Sequence, residues 1–396
     1  MSGKPFFVLD NGAYTLKLGK TSEDKPKLIP NAIMKAKSER RRLFVGSDID
    51  ECRDASGLYY ILPFQKGYLI NWDTEKTIWD HAFSKNCCPV SFPDTPLVFT
   101  EPLFNFQPLQ EGANEIFFEE YDCCHLLRIN SVDLSQIKYQ SEHPDSKACL
   151  VIDCGYSFTH VVPYVLGKRK SDLIRRIEVG GKLLTNHLKD IISYRQLHVM
   201  DETYVMNQVK EDACFVAQEF MTSMAEAQRK GPANYILKEY VLPDFTSIRR
   251  GYLRDPKSEP EESVQLLRLN NERFSVPELL FHPSDIGLPQ MGLAELIMHV
   301  INECQEDIQP HLLRNIVLTG GSTMFPGFEQ RLMKDLRALA PCEYQIKITM
   351  PSDPIGYAWQ GGKVLSTNAK ALKEKFVSKQ QYEEHGHTIC AEKFDI

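Results

Sequence analysis

Two short apolar runs in this chain break off in the same way. Phe6-Phe7-Val8-Leu9 leads into Asp10-Asn11-Gly12, and Cys149-Leu150-Val151-Ile152 leads into Asp153-Cys154-Gly155. Each is followed by a second strand-like stretch, so each predicts a β-hairpin, over residues 5–20 and 149–166. An Asp at a strand end, beside a Gly whose backbone lets a ligand come close, suits a Mg-bound phosphate. Two such hairpins predict two similar half-molecules facing one nucleotide.

Between and after them the pattern alternates. Residues 72–83 predict a helix, with Trp72, Ile78, Trp79 and Phe83 near one face. Leu97–Thr100 reads as a strand, residues 111–127 as a helix, and Gly180-Gly181 precedes a helix over 182–192. Residues 201–229 read as helical, and 292–308 as an amphipathic helix through Leu293, Leu296, Ile297, Val300, Ile301 and Cys304. The stretch 243–275 has little periodicity and reads as a surface excursion. A strand over Asn315–Leu318 runs into Thr319-Gly320-Gly321-Ser322-Thr323, a glycine turn opening a helix. Strands alternating with helices imply an α/β architecture.

The chain has 396 residues, which exceeds the about 250–300 a single core sustains, so two or more domains are expected. The net charge of −7 excludes a polycation that binds nucleic acid indiscriminately. The eleven cysteines include two vicinal pairs but no Cys-x-x-Cys, which speaks against structural zinc and for free thiols in a reducing compartment. The opening apolar run is too short for a secretory core or a membrane span.

Asp10-Asn11-Gly12 with Lys17 resembles the first phosphate loop of the actin family, and Asp153-Cys154-Gly155 with Thr159-His160 resembles the second. Ile316 through Gly327 resembles the adenosine motif. Asn71-Trp72-Asp73, Asn271-Glu272-Arg273-Phe274, Trp359-Gln360-Gly361-Gly362 and Phe376 through Tyr382 follow the same pattern, so the resemblance covers essentially the whole chain. It implies the α/β actin-like ATPase fold, shared with hexokinase and the heat-shock chaperone ATPase and ribonuclease H-like in each half. Two similar lobes would close around a nucleotide cleft. Lobe one would take 1–144 plus 353–396, with a shortened DNase-binding loop. Lobe two would take 145–352, with an insertion near 246–268.

The implied cofactor is ATP or ADP with Mg. Asp10 and Asp153 would hold the metal through water, and Gly12, Lys17, Gly155 and Thr159 would line the phosphates. Gly181, Lys210, Glu211, Gly320, Gly321, Ser322 and Phe325 would form the adenosine side. His160 would help orient the attacking water, or serve only as a hydrogen-bonded core histidine. Several positions depart from the family. Ala13 replaces the hydroxyl that meets the terminal phosphate, Tyr14 and Ser157 replace glycines, and Tyr156 replaces an acidic residue. Ser131 aligns with the water-positioning glutamine, and Asn207, Phe325 and Ile355 replace an arginine, a tyrosine and a lysine. The expectation is weak or slow-exchanging nucleotide and no useful turnover, so at most a residual ATPase. A hairpin kept only as core remains the other reading.

Tyr60 through Tyr68, Gly155 through His160 and the tail Glu392 through Ile396 resemble a nuclear branch of the family. Its members are subunits of SWR/SRCAP-type chromatin remodellers that place a variant histone in nucleosomes. The resemblance implies a non-filamentous scaffold, beside a Swi/Snf-type ATPase, a small zinc-finger HIT-type subunit, and the histones or DNA of a nucleosome. It implies the nucleus, with the cytoplasm as a second compartment. A polymerising cytoskeletal ATPase, a small-molecule kinase and a separate heterochromatin role are the alternatives. Lys35, Lys37, Arg40, Arg41 and Arg42 read as a nuclear address, a phosphate patch or a plain solvated loop, and Lys168-Arg169-Lys170 with Arg175-Arg176 as a second basic run.

Overall fold

The computed structural model describes residues 5–37, 39, 42–52, 54, 58–254, 264–367 and 374–394. Both hairpins form. Phe7–Asn11 pairs antiparallel with Thr15–Lys20, and Ala148–Cys154 with Thr159–Val165. Every residue of Phe7–Asn11 is buried, which explains its unbroken apolar run: both faces of the strand are covered.

Each Asp-bearing strand then takes a parallel neighbour from far along the chain. Phe7–Asn11 pairs with Leu97–Glu101, which pairs in turn with His125–Asn130. Ala148–Cys154 pairs with Ile316–Thr319, which pairs with Ile348–Thr349. Parallel pairing needs long crossovers, and helices supply them. Two six-stranded sheets result, each with its own core. One core gathers Phe7, Trp79, Phe117 and Trp359, the other Leu150, Leu188, Ile297 and Leu318.

The helices Ser131–Glu142 and Tyr357–Leu365 lie against each other beside the first sheet. Their approach requires glycine: a Cβ on Gly361 would stand 1.9 Å from the carbonyl oxygen of Leu134. The final helix runs His387–Lys393, and Phe394 beyond it lies 5.0 Å from the Arg128 guanidinium. Arg128 donates to both carboxylate oxygens of Glu101 at 2.9 Å.

The structure corrects several predicted elements. The helix placed at 111–127 runs Gln107–Glu115, continues through a wider π turn at Ile116–Glu120, and gives way to the strand His125–Asn130. Pro108 in its first turn marks the start. The helix placed at 201–229 is two, Thr203–Ala213 and Phe220–Ala227. The break is tertiary: the amides of Phe215 and Val216 donate to the carbonyls of Arg273 and Pro326. The supposed excursion at 243–275 contributes Tyr252–Leu253 and Leu266–Leu269 to a three-stranded sheet with Lys238–Val241, then the helix Glu272–Glu278. Strands of two to four residues are too short to show a period. Residues 255–263 of the insertion lie outside the described residues. On the other lobe Ile33–Lys35, Phe44–Val45 and Tyr59–Ile61 form a matching small sheet over Met34, Phe44 and Leu58. Among the described residues, no helix is long and apolar enough to cross a membrane.

Candidate functional site

The two Asp-x-Gly turns face each other across a cleft of about 530 Å³. The hairpins repeat one register: Asp10 stands opposite Lys17, and Asp153 opposite His160. Lys17 Nζ sits 3.2 Å from Asp10 Oδ2, and Thr100 Oγ1 donates to Asp10 Oδ1 at 2.8 Å. Asp153 is partly buried and lines the cleft. Burial pushes its carboxyl up to about 6, Asp10 adds to the push, and the Lys17 ammonium and Thr319 hydroxyl oppose it. Burial, aided by the Arg176 charge, drops His160 to about 3, so its ring is neutral at physiological pH. Its Nε2 has no hydrogen-bond partner, which does not fit the hydrogen-bonded core histidine the sequence left open.

Of the predicted site residues, Asp10, Gly12, Lys17, Asp153, Gly155, His160, Gly181, Lys210, Glu211, Gly320, Gly321, Ser322 and Phe325 all line this cleft. Thr159 does not. It alternates with His160 on its strand and so faces the other way, donating from Oγ1 to the Val179 carbonyl at 2.9 Å. Gly320 holds φ at +87°, and a Cβ there would meet the Cys154 carbonyl oxygen at 2.4 Å.

The adenosine side is already bonded to itself. Lys210 Nζ donates to the Gly181 carbonyl, Thr185 Oγ1 and Asn207 Oδ1 at 3.2, 2.9 and 2.9 Å. Burial lowers its pKa, with the Glu211 carboxylate opposing. The Asn207 amide donates to Glu211 Oε1 at 2.7 Å and to the Tyr14 hydroxyl at 2.8 Å. Tyr14 crosses from lobe one and stacks on Tyr156 of lobe two, with ring centroids 4.8 Å apart and planes 24° from parallel. These rings form a wall of the cleft and also of a second cavity of about 260 Å³ beyond it. Phe158 makes a further crossing: its ring packs on Gly67, where a Cβ would stand 2.2 Å away, with the Arg176 guanidinium 4.2 Å from its centroid. Arg176 also donates to the Tyr68 hydroxyl at 3.1 Å.

Read in the sequence alone, Tyr14 and Tyr156 are only losses. The signal was there: an aromatic residue follows Asp-x-Gly closely in both hairpins. Thr100, Phe158 and the fully buried Glu75 had no local signal, because their roles depend on strands and helices far apart in the chain.

The basic runs are partly paired. Arg169 pairs with Asp133, Arg175 with Glu303, Arg176 with Glu178, and Lys37 with Asp201. Arg42 pairs with Glu51. Arg40 and Arg41 lie outside the described residues.

An adenine nucleotide with Mg fits these residues in part. The paired carboxylates Asp10 and Asp153 beside Lys17 suit a hydrated cation and phosphates. The nearest atom to a Cβ on Gly321 is 3.8 Å away, which leaves room for a nucleoside. Ala13, which also lines the cleft, brings no hydroxyl, and Ser131 brings only a short one. Among the described residues, no group of three or more His, Cys, Asp or Glu side chains is placed to hold a metal on its own.

Two related lobes closing on one cleft, each offering an Asp-x-Gly hairpin, define the actin-type ATPase fold. The actin family pattern matches residues 2–395, and the chain belongs to the actin family. Members of that family bind ATP or ADP with Mg. The chain is 50% identical to Actin-related protein 6 of Drosophila melanogaster, over 96% of this chain and 97% of the fly protein. It is 38% identical to Actin-like protein ARP6 of Cryptococcus neoformans, over 100% of this chain and 85% of that one. It is 35% identical to Actin-related protein 6 of rice, over 99% of both.

Proposed function

We propose that this chain is a non-filamentous actin-family scaffold, a subunit of a nuclear SWR/SRCAP-type remodeller that exchanges a variant histone into nucleosomes. Its similarity to proteins named Actin-related protein 6 supports the branch. The observation that carries the scaffold reading is the state of the cleft. The Tyr14–Tyr156 stack and the Lys210–Asn207–Glu211 bonds occupy groups that a turnover site would direct at a nucleotide. Ser131, at the position of the water-holding amide, is too short to reach, and a nucleophile misplaced by about 1 Å costs on the order of 10²-fold in rate. Asp10, Lys17 and Asp153 would hold Mg-ATP or Mg-ADP loosely, without using it.

In this reading the chain sits in the nucleus, presents its faces to a Swi/Snf-type ATPase and a small zinc-finger HIT-type subunit, and meets nucleosomal histones or DNA within that particle. Only eight residues separate the strands Ile33–Lys35 and Phe44–Val45, so the loop between them is short for a filament contact. The test is affinity capture of the tagged chain from nuclear extract. Recovery of a remodeller ATPase with histone-handling subunits is expected; recovery of the chain alone, or with cytoskeletal proteins, overturns the reading.

A further inference from the structure

We infer that the Tyr14–Tyr156 pair is a built-in clasp that holds the two lobes closed without a nucleotide. The inference rests on the reading above, in which nucleotide is dispensable, and names the device that makes it so.

Two charged lobes that meet around a ligand leave polar groups in need of partners when the ligand goes. Here several of those groups are satisfied by one another, although His160 Nε2 has no partner. Lys17 is paired with Asp10 inside lobe one. Lys210 spends three donors on Gly181, Thr185 and Asn207 inside lobe two. Asn207 spends its amide protons on Glu211 and on Tyr14, and the second of these bonds crosses the cleft.

The stacked rings make the crossing specific. Tyr14 is anchored from below, since its carbonyl accepts from the Asn31 amide at 2.8 Å while the Asn31 side chain donates to the Gly12 carbonyl at 3.1 Å. Tyr156 is anchored by its own carbonyl, which accepts from the Lys182 amide at 2.9 Å, and by Gly181, whose hypothetical Cβ would stand 3.4 Å from the ring. Each ring is thus fixed to its own lobe by backbone bonds and meets its partner across the gap. Stacking of two such rings, with one partly buried hydrogen bond, favours the closed arrangement. Phe158 on Gly67 and Arg176 on Tyr68 provide a second crossing farther along the cleft.

The test is amide hydrogen exchange on the purified full chain, stripped of nucleotide with EDTA and apyrase, then returned to Mg-ATP. The reporting segments are 12–16, 155–159 and 203–211. In the unaltered chain, protection in these segments should be the same in both conditions. In Tyr14→Ala/Tyr156→Ala, protection should fall about tenfold when stripped, the loss of one aromatic pair and one hydrogen bond. Mg-ATP should restore part of it. Tyr156→Phe keeps the stack and should behave as the unaltered chain, whereas Tyr156→Leu, which retains apolar bulk, serves if the double variant does not fold. The clasp is overturned if the stripped, unaltered chain loses protection as the variants do, or if the variants match the unaltered chain when stripped. None of these readouts depends on remodeller membership, so failure here is separate from failure of that reading.

Discussion

Lys17 Nζ lies 3.2 Å from Asp10 Oδ2, directly across the first hairpin. The same ammonium pulls down the carboxyl of Asp153, which belongs to the other lobe. One lysine therefore balances two carboxylates from two hairpins. Lys17→Met would leave both without a counter-charge in a largely buried place, and about 3 kcal/mol of stability should go with it. Urea unfolding measures this loss. Added Mg without nucleotide should recover part of it, because a cation then takes the place of the ammonium. An unchanged midpoint would show that the pair contributes nothing.

Glu75 should give the fold an unusual pH slope. It is fully enclosed behind the first hairpin, bonded through Oε1 to the Asn31 amide at 3.3 Å, while Oε2 and Asn31 Oδ1 have no partner. Burial pushes its carboxyl up to about 7, with bonds from Asn11, Asn31 and Trp79 opposing. The folded chain thus holds a proton that the unfolded chain releases near the ordinary carboxylate value. Stability from this group is full below about 4.5 and falls as pH rises to about 7. Glu75→Gln removes the slope. It should leave stability unchanged at pH 4 and raise it at pH 8 by on the order of 3 kcal/mol. Thermal melts at the two pH values check this, and an equal effect at both would contradict it.

Hydrolysis should be poor and not restored by a single change. Purified chain with Mg-ATP should turn over on the order of 10²-fold more slowly than actin assayed beside it. Ser131→Gln alone should recover little, because Tyr14 and Tyr156 still wall the cleft and Ala13 still lacks a hydroxyl. Phosphate release assays decide it, and turnover equal to that of actin would defeat the account.

The chain should also stay monomeric under conditions that polymerise actin. Ultracentrifugation with Mg and salt should leave it in the supernatant, whereas pelleting would favour the cytoskeletal alternative.

Much of this arrangement was legible in the sequence because hairpin and turn chemistry are local. Asp-x-Gly at the end of a buried strand is written in consecutive residues, and so is the Thr319-Gly320-Gly321 turn. The facing of Asp10 on Lys17 and of Asp153 on His160 needs only the hairpin register. Thr159 was misplaced because a family motif names neighbours, while a strand sends neighbours to opposite faces. The sheet in the 243–275 stretch escaped because its strands are set by pairing with Lys238–Val241, not by their own pattern. The tyrosine clasp escaped for a similar reason. Each ring read alone is a bulky substitution, and only the closed cleft makes the two a pair.

The central claim, that this chain serves as a scaffold in a large nuclear particle, is tested most directly by its native size. Gentle nuclear extract should be fractionated by sedimentation and the partners in the peak identified. The account predicts a very large particle that also holds a Swi/Snf-type ATPase and histone-handling subunits. A peak at the size of the free chain, with no such partners, would contradict it.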